Sequence, residues 1–217
     1  MIELLPTTIF LCDFDGTITS VGLSDFLYRT FAACGMKYSD LWAAGKISTR
    51  EEIESSFKTI TATREEMEAA LATIQIDPCF PAFHQFCREK GYPVAILSDG
   101  LDWAINFVLG QGGVSGLPIY SNQIRFTENS FEFEFPYYDS STPLYGICKR
   151  KVVEQFKEDG NHVVLVGDGR TDFDAAGEAD YVIASNELLA YCREKSIPHL
   201  PYNNFCEITD QLRRLAS

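Results

Sequence analysis

Four short, unbroken runs of apolar residues constrain the fold of this chain more than any other feature of its sequence. They cover residues 9–12, 94–97, 163–166 and 181–184. Each run is too short for a buried helix and none alternates apolar with polar residues, which is typical of strands covered on both faces of a parallel sheet. Helical periodicity separates the runs, so we predict an α/β fold with a Rossmann-like open parallel sheet.

The connection between the first two runs is too long for an ordinary crossover. It spans roughly 80 residues, far above the usual connection length, and it contains helix signals but no strand signal. Segments 48–51 and 63–66 both fit the capping-box pattern, and an apolar stripe at helical spacing follows each of them. We therefore expect a helical cap subdomain at residues 20–76, inserted into a core domain of residues 1–19 and 77–217.

A second departure from the α/β pattern lies at residues 124–135. Phenylalanine and glutamate alternate with period two over residues 131–135, and residues 128–130 supply a turn. This pattern predicts an antiparallel β-hairpin. Its phenylalanine face either packs on the core or forms a dimer contact, so the sequence is compatible with a monomer or a homodimer.

Charge and cysteine usage exclude several classes of function. The 217 residues include 18 Lys and Arg against 31 Asp and Glu, a net charge of −13, which disfavours binding to nucleic acid or an anionic membrane. The seven cysteines are odd in number and form no Cys-x-x-Cys pair, so we expect unpaired, buried thiols in a reducing compartment. The N-terminal segment has no basic region before its short apolar run, so we expect a cytoplasmic protein without a signal peptide or membrane span.

Polar residues follow three of the four apolar runs. The first run ends in Asp-Phe-Asp-Gly-Thr at residues 13–17, the second in Ser-Asp-Gly at 98–100, and the third in Gly-Asp-Gly-Arg-Thr-Asp at 167–172. Ligands of open α/β sheets bind beyond the carboxyl ends of the strands. A single aspartate at a strand end is a common turn or cap residue, but three such segments together predict one shared site.

Carboxylates gathered at one site repel one another unless a cation neutralises them. Mg²⁺ is the expected cofactor, because it takes one or two carboxylates alongside substrate phosphate and keeps several waters. The bound ion would attract a phosphate group, so an acidic protein can act on a small phosphorylated metabolite. Of Asp13 and Asp15, one carboxylate could attack phosphorus and the other protonate the departing alkoxide.

These segments resemble the four motifs of the haloacid dehalogenase superfamily. Residues 13–17, Ser98, Lys149 and the segment 167–172 match those motifs in order and spacing. The inserted helices resemble the type I cap of the phosphoserine-phosphatase-like branch. The resemblance implies the core fold of that superfamily and a Mg²⁺-dependent phosphomonoesterase that works through an aspartyl-phosphate intermediate.

The resemblance also implies a role for each residue. Asp13 is the expected nucleophile, and Asp15 is the expected acid and base, oriented by Thr17. The residues expected to bind the phosphoryl group are Ser98, Asp99, Gly100 and Lys149. The expected metal ligands are Asp13, Asp15 through its backbone carbonyl, and Asp168, with Asp172 in support.

A closer resemblance is to the methionine-salvage phosphatases, which dephosphorylate the enol 2-hydroxy-3-keto-5-methylthiopentenyl phosphate. It rests on residues 12–19, 98–102, 148–149, 192–194 and 199–202. Gly22 stands where phosphoserine-type enzymes place an acidic cap residue, which argues against phosphoserine as the substrate. Asp99 replaces a glycine beside Ser98, so its carboxylate either turns away from the phosphate or contacts a substrate hydroxyl.

Several alternatives stay open on the sequence alone. Lys151 competes with Lys149 for the same role. A mutase or other phosphotransferase would need the same residues, whereas a non-catalytic phosphometabolite-binding protein would be expected to lack a nucleophile or a metal ligand. A thiol nucleophile at Cys12 or Cys148 is disfavoured, because no histidine lies near either cysteine in sequence.

Overall fold

A seven-stranded sheet forms the centre of the computed structural model, which describes residues 3–128 and 130–215. The strands are β1 Thr8–Cys12, β2 Val94–Leu101, β3 Ile119–Phe126, β4 Phe131–Glu134, β5 His162–Gly167, β6 Tyr181–Ala184 and β7 His199–Pro201. Their order across the sheet is β4-β3-β2-β1-β5-β6-β7. β3 and β4 pair antiparallel and the other neighbours pair parallel. All four predicted strands are present, which confirms the α/β fold class.

Helices surround this sheet. In chain order they are α1 Leu23–Phe31, α2 Lys37–Ala43, α3 Thr49–Phe57, α4 Arg64–Leu71, α5 Phe80–Lys90, α6 Asp102–Gln111, α7 Lys149–Glu158, α8 Phe173–Glu178, α9 Asn186–Lys195 and α10 Phe205–Leu215. A short 3₁₀ helix, Arg170–Asp172, precedes α8. Among the described residues, no helix combines the length and the apolar character that a membrane span requires.

The central strands β1, β2, β5 and β6 are buried on both faces, which explains why each contains an unbroken apolar run. Along β1, Phe10 and Cys12 pack into one buried cluster, whereas Ile9 and Leu11 pack into a second cluster on the opposite face. Alternate side chains of a strand point to opposite faces, so both sets must be apolar when helices cover both sides.

Both predicted capping boxes are present in the segment between β1 and α5. The Ser48 hydroxyl accepts a hydrogen bond from the backbone N–H of Glu51, and the Glu51 carboxylate accepts one from the backbone N–H of Ser48. Thr63 and Glu66 make the same pair of bonds at the start of α4. Each box satisfies N–H groups that a helix leaves unpaired at its first turn.

The chain leaves the sheet after β1 and returns to it at an adjacent point. Thr19 and Ile76 form an antiparallel bridge, and the backbone N–H of Asp77 donates to the carbonyl of Ile18 at 2.7 Å. The two connections therefore run side by side, as they would in a hinge between two units. The division into a core and a cap at residues 20–76 stays a prediction, and this pairing supports it.

The predicted hairpin is present as β3 and β4, paired from Gln123 with Glu134 to Phe126 with Phe131. Residue 129 of the predicted turn lies outside the described residues. Phe131 and Phe133 pack edge-on against Phe57 of α3, with ring centroids 5.1 and 5.2 Å apart. The phenylalanine face of the hairpin thus packs within the chain.

The expectation that the cysteines are unpaired is wrong for two of them. Cys79 and Cys206 form a disulfide between the start of α5 and α10, although 127 residues separate them in sequence. They meet because Phe205 of α10 packs against Phe80 and Phe83 of α5. The free cysteines are Cys12, Cys34, Cys87, Cys148 and Cys192.

Candidate active site

The order of the strands brings the three polar segments of the sequence together. β1 lies between β2 and β5. Residues 13–17, 98–100 and 167–172 therefore all lie at the carboxyl ends of three neighbouring strands. The backbone N–H of Asp13 donates to the carbonyl of Val166 at 2.8 Å, which fixes the end of β1 against β5. The convergence expected from the strand ends is therefore present.

Three carboxylates meet at this edge around a single ammonium group. Oxygens of Asp13, Asp168 and Asp172 lie within 4.8 Å of one another. The buried Nζ of Lys149 lies 2.8 Å from Asp13 Oδ1 and 2.7 Å from Asp172 Oδ1. Burial, and next the neighbouring Asp172, raise the pKa of Asp13 and of Asp168 above their ordinary values, while Lys149 opposes the shift. The excess of buried negative charge is what a hard divalent cation would neutralise.

Lys149, rather than Lys151, occupies the cluster. Lys149 is the first residue of α7 and is buried, and although burial opposes its charge, Asp13 and Asp172 raise its pKa above the ordinary value. Lys151 is exposed and pairs with Asp139. The ammonium of Lys149 is therefore held in its charged form beside Asp13.

Asp172 holds its own loop in place. Its Oδ1 accepts from Lys149, and its Oδ2 accepts from the backbone N–H groups of Asp168 and Gly169 at 3.1 and 3.2 Å. A side chain at Gly167 would collide with this carboxylate. Asp172 thus joins Lys149 to the loop that carries Asp168, which fits support of the cluster.

Asp15 lies beside the carboxylate cluster in a different environment. Its Oδ1 accepts from the backbone N–H of Leu23 at 3.0 Å, and among the described residues it forms no ion pair with a lysine or arginine. Burial raises its pKa to about 7. A carboxyl group in this state can both release and accept a proton at neutral pH.

Thr17 contacts a different aspartate from the one expected. Its hydroxyl donates to Asp168 Oδ1 at 3.0 Å, so it orients Asp168, and the backbone of Leu23 holds Asp15 instead. Gly16 explains the difference: it adopts φ +83°, and a side chain there would collide with the Asp168 carboxylate. The chain can therefore pass directly against Asp168 at this point.

Ser98 and Gly100 face Asp15 across the site. Ser98 is buried, and its Oγ accepts from the backbone N–H of Gly100 at 3.1 Å. A side chain added at Gly100 would meet both Ser98 and Asp15. The Ser98 hydroxyl thus keeps its own proton available for an oxygen of a ligand placed between these residues.

Both oxygens of the Asp99 carboxylate, in contrast, already accept hydrogen bonds within the chain. Its Oδ1 accepts from the Asn122 side chain and from the backbone N–H groups of Gly146 and Ile147 at 2.9 to 3.1 Å, and its Oδ2 accepts from the Thr49 hydroxyl at 2.7 Å. Phosphate binding through this side chain, as expected from the sequence, does not fit these contacts. Asp99 instead ties β2 to α3 and to the loop before Lys149.

A cavity of about 730 Å³ opens between the strand ends and α1 to α3. The strand ends contribute Asp13, Asp15, Ser98 and Asp168, and the helices contribute Asp25, Ser39, Trp42, Thr49 and Glu52. The sequence interpretation missed Asp25, Ser39 and Glu52, and also Asn186, whose amide lies 3.5 Å from Asp168 Oδ2. A signal for Glu52 was present, because it directly precedes Ile53 and so adjoins the apolar stripe that contains Ile53 and Phe57.

A thiol mechanism does not fit the environment of Cys12. This residue is fully buried in β1, and burial raises its pKa well above the ordinary value, with Cys87 and Asp13 adding to the shift. The thiol therefore stays neutral, whereas a nucleophilic cysteine needs to be a thiolate.

Comparison with known proteins gives a consistent result. A family model described as haloacid dehalogenase-like hydrolase matches residues 10–177. A 2-hydroxy-3-keto-5-methylthiopentenyl-1-phosphate phosphatase of Geobacillus thermodenitrificans is 31% identical over 213 residues, which cover 95% of this chain and 96% of that protein. A protein of the same name from Geobacillus kaustophilus is 30% identical over 213 residues, which also cover 95% of this chain and 96% of that protein.

Solved structures share the fold. A substrate-bound phosphoserine phosphatase complex superposes with a TM-score of 0.71 at 20% sequence identity, over 96% of this chain and 99% of that one. A phosphoserine phosphatase with an analogue of its phospho-aspartyl intermediate gives a TM-score of 0.68 at 22% sequence identity, over 94% of this chain and 97% of that one.

Proposed function

Because this chain belongs to the haloacid dehalogenase-like hydrolase family, we propose that it hydrolyses the phosphate monoester of a small organic alcohol through an aspartyl-phosphate on Asp13. The observation that carries this proposal is the contrast between two aspartates two residues apart. Asp13 Oδ1 is paired with the Lys149 ammonium at 2.8 Å, whereas Asp15 Oδ1 accepts a hydrogen bond from the backbone N–H of Leu23 and forms no ion pair among the described residues. Two carboxyl groups in such different environments suit a nucleophile and an acid.

In the first step a carboxylate oxygen of Asp13 forms a bond to phosphorus, and the bond from phosphorus to the leaving-group oxygen breaks. Asp15 gives its proton to that oxygen, so the alcohol departs uncharged. Ser98 donates to a phosphoryl oxygen, and Lys149 lies against the carboxylate that becomes phosphorylated. Positioning and positive charge are the main requirements of phosphoryl transfer.

In the second step water attacks the phosphorus of the aspartyl-phosphate. Asp15, now ionised, takes the proton from this water, and the bond between phosphorus and Asp13 breaks. Inorganic phosphate leaves, Asp13 regains its carboxylate, and Asp15 regains its proton. The same carboxyl group therefore serves as acid in the first step and as base in the second.

The carboxylate cluster fits a magnesium ion. Asp13, Asp168 and the backbone carbonyl of Asp15 would hold it, while Thr17 and Asn186 hold Asp168, and Asp172 keeps the loop and Lys149 in place. When bound, Mg²⁺ would supply positive charge that draws in the phosphate and stabilises charge on its oxygens. The raised pKa values of Asp13 and Asp168 support this assignment, because crowded carboxylates stay ionised only beside a cation.

We infer further that the leaving group resembles that of the relatives, which act on 2-hydroxy-3-keto-5-methylthiopentenyl 1-phosphate according to their names. The identity of about one third extends over nearly the whole length of both chains. The cavity between strand ends and helices has room for a leaving group of this size.

The function is tested with p-nitrophenyl phosphate and with the enol phosphate named above. We expect release of inorganic phosphate from both, loss of activity when EDTA removes the metal, and recovery when Mg²⁺ is added in excess. Asp13→Asn should abolish turnover while the protein stays folded by circular dichroism. Turnover that survives both EDTA and Asp13→Asn would contradict the proposed chemistry.

A further inference from the structure

Glu52 is a buried carboxyl group that the chemical steps above do not use. It lies on α3, where Thr49, Ile53, Ser56 and Phe57 share its buried face. Only 6% of its surface is exposed, and it lines the cavity opposite the strand ends. A glutamate on the buried face of a helix is costly unless it has a partner, so its position calls for an explanation.

No cation among the described residues forms an ion pair with Glu52. The groups that face it are acidic or neutral: Asp25 and Tyr28 of α1, and Asp99 at the end of β2. The Tyr28 hydroxyl lies close by but makes no well-aligned hydrogen bond within the described part of the chain. Burial, together with Asp25 and Asp99, raises the pKa of Glu52 to about 8, so its carboxyl is mostly protonated at neutral pH.

The rest of this end of the cavity is also poor in positive charge. Asp25 accepts a hydrogen bond from Ser39 at 2.5 Å, and both residues line the cavity. Arg170 lies at the strand-end side and is paired with Glu187 at 3.0 Å. A ligand carboxylate at the helical end would therefore meet carboxyl groups and find no free cation among the described residues.

We propose that Glu52 determines specificity by hydrogen-bonding an uncharged hydroxyl or carbonyl oxygen of the leaving group and by rejecting leaving groups that carry a carboxylate. This inference rests on the proposed function, because it assumes that the phosphate binds at the strand ends. Thr49, one turn before Glu52 on the same face, is bonded to Asp99 beside Ser98. Glu52 therefore faces the part of the cavity that a leaving group would occupy.

The test compares two substrates that differ in one group only. Glycerol 3-phosphate and 3-phosphoglycerate share a three-carbon skeleton, but the second carries a carboxylate where the first carries a hydroxymethyl group. At pH 9, above the pKa of about 8 of Glu52, we expect kcat/KM to favour glycerol 3-phosphate by about 10- to 100-fold, since like charges placed together in a desolvated site cost several kcal/mol. In Glu52→Gln this ratio should fall about tenfold at the same pH, because the amide cannot ionise and can donate to a carboxylate.

Glu54→Gln is the matched control, since Glu54 lies on the same helix outside the buried face, and it should keep the wild-type ratio. The ratio is measured within one preparation, so partial unfolding of a variant cancels. A wild-type ratio near one, or an unchanged ratio in Glu52→Gln, would overturn the inference. Faster hydrolysis of ethanolamine phosphate than of 2-hydroxyethyl phosphate would overturn it as well, because the site would then select a cation. Hydrolysis of p-nitrophenyl phosphate by the same preparation tests the proposed function separately.

Discussion

Lys149 Nζ lies 2.8 Å from Asp13 Oδ1, and both side chains are almost completely buried. The buried ammonium opposes the rise in the pKa of Asp13 that burial and the neighbouring Asp172 cause. The lysine comes from the first residue of α7 and the aspartate from the residue after β1. Their contact therefore depends on the packing of two elements that are far apart in sequence.

Removing this ammonium should impair catalysis. We expect Lys149→Gln to lower kcat for p-nitrophenyl phosphate by about 10²- to 10³-fold, as is typical for loss of one group that stabilises transition-state charge. Lys151→Gln, which removes an exposed lysine of the same helix turn, should keep nearly full activity. Because loss of a buried charge partner also destabilises a protein by roughly 3–5 kcal/mol, kcat should be measured at a temperature where circular dichroism shows the variant folded. Full activity in Lys149→Gln together with loss of activity in Lys151→Gln would contradict this prediction, because the role would then belong to Lys151.

Replacing Asp15, the proposed proton donor, should slow the hydrolysis of two substrates to different extents. p-Nitrophenolate leaves readily without a proton, whereas an alkoxide does not. Asp15→Asn should therefore release about one equivalent of p-nitrophenolate per site and then stall, and it should hydrolyse glycerol 3-phosphate roughly 10²- to 10⁴-fold more slowly than wild type. Stopped-flow absorbance detects the burst, and Asp40→Asn, an exposed carboxylate of α2, is the control. Equal rate losses for both substrates without a burst would count against the acid role.

The hydrogen bond from Thr49 to Asp99 should matter for activity because it joins α3 to the end of β2. Thr49→Val removes the hydroxyl at nearly constant shape and leaves the half-buried Asp99 carboxylate one donor short, and we expect kcat/KM to fall about tenfold. Thr49→Ser restores the donor and should stay within about threefold of wild type. If both variants behave like wild type, the contact between α3 and the end of β2 does not contribute to activity.

Glu52 should make the stability of the chain depend on pH. Its pKa is about 8 in the folded chain against an ordinary value of 4.5, so the folded state keeps a proton that the unfolded state has released. Stability is therefore lost as pH rises from about 4.5 to 8, by up to about 1.4 kcal/mol per pH unit for this group. Glutamine carries no such proton, so the melting temperature of Glu52→Gln relative to wild type should be higher at pH 8 than at pH 5.5.

Thermal unfolding in EDTA at the two pH values measures this difference, which should amount to a few degrees. Glu54→Gln serves again as the control and should show the same difference from wild type at both pH values. An identical difference for Glu52→Gln at pH 5.5 and pH 8 would mean that Glu52 does not hold its proton in the folded chain.

The sheet and the converging aspartates could be predicted because their signals are local. Each buried strand is a short apolar run, and each site segment follows a strand directly, so Asp13, Asp15 and Asp168 needed no knowledge of packing. β2 continues to Leu101, beyond its apolar run, since Ser98, Asp99 and Gly100 remain in extended chain with an irregular register against β3.

The features that escaped prediction depend on contacts between distant segments. The bond of Thr17 to Asp168 needs the left-handed turn at Gly16, and the partners of Asp99 come from residues 49, 122, 146 and 147. The disulfide of Cys79 with Cys206 follows from the packing of α5 on α10. Spacing along the chain carries no information about any of these contacts.

Chemical trapping of the phosphorylated enzyme tests the central role of Asp13 most directly. Borohydride reduces an aspartyl-phosphate to homoserine, so enzyme quenched during turnover with Mg²⁺ and substrate, reduced and digested can be examined by mass spectrometry. We expect homoserine at position 13, in larger amount in Asp15→Asn, and none when substrate or Mg²⁺ is omitted. Reduction at another carboxylate, or none at position 13 while substrate is being hydrolysed, would contradict the account.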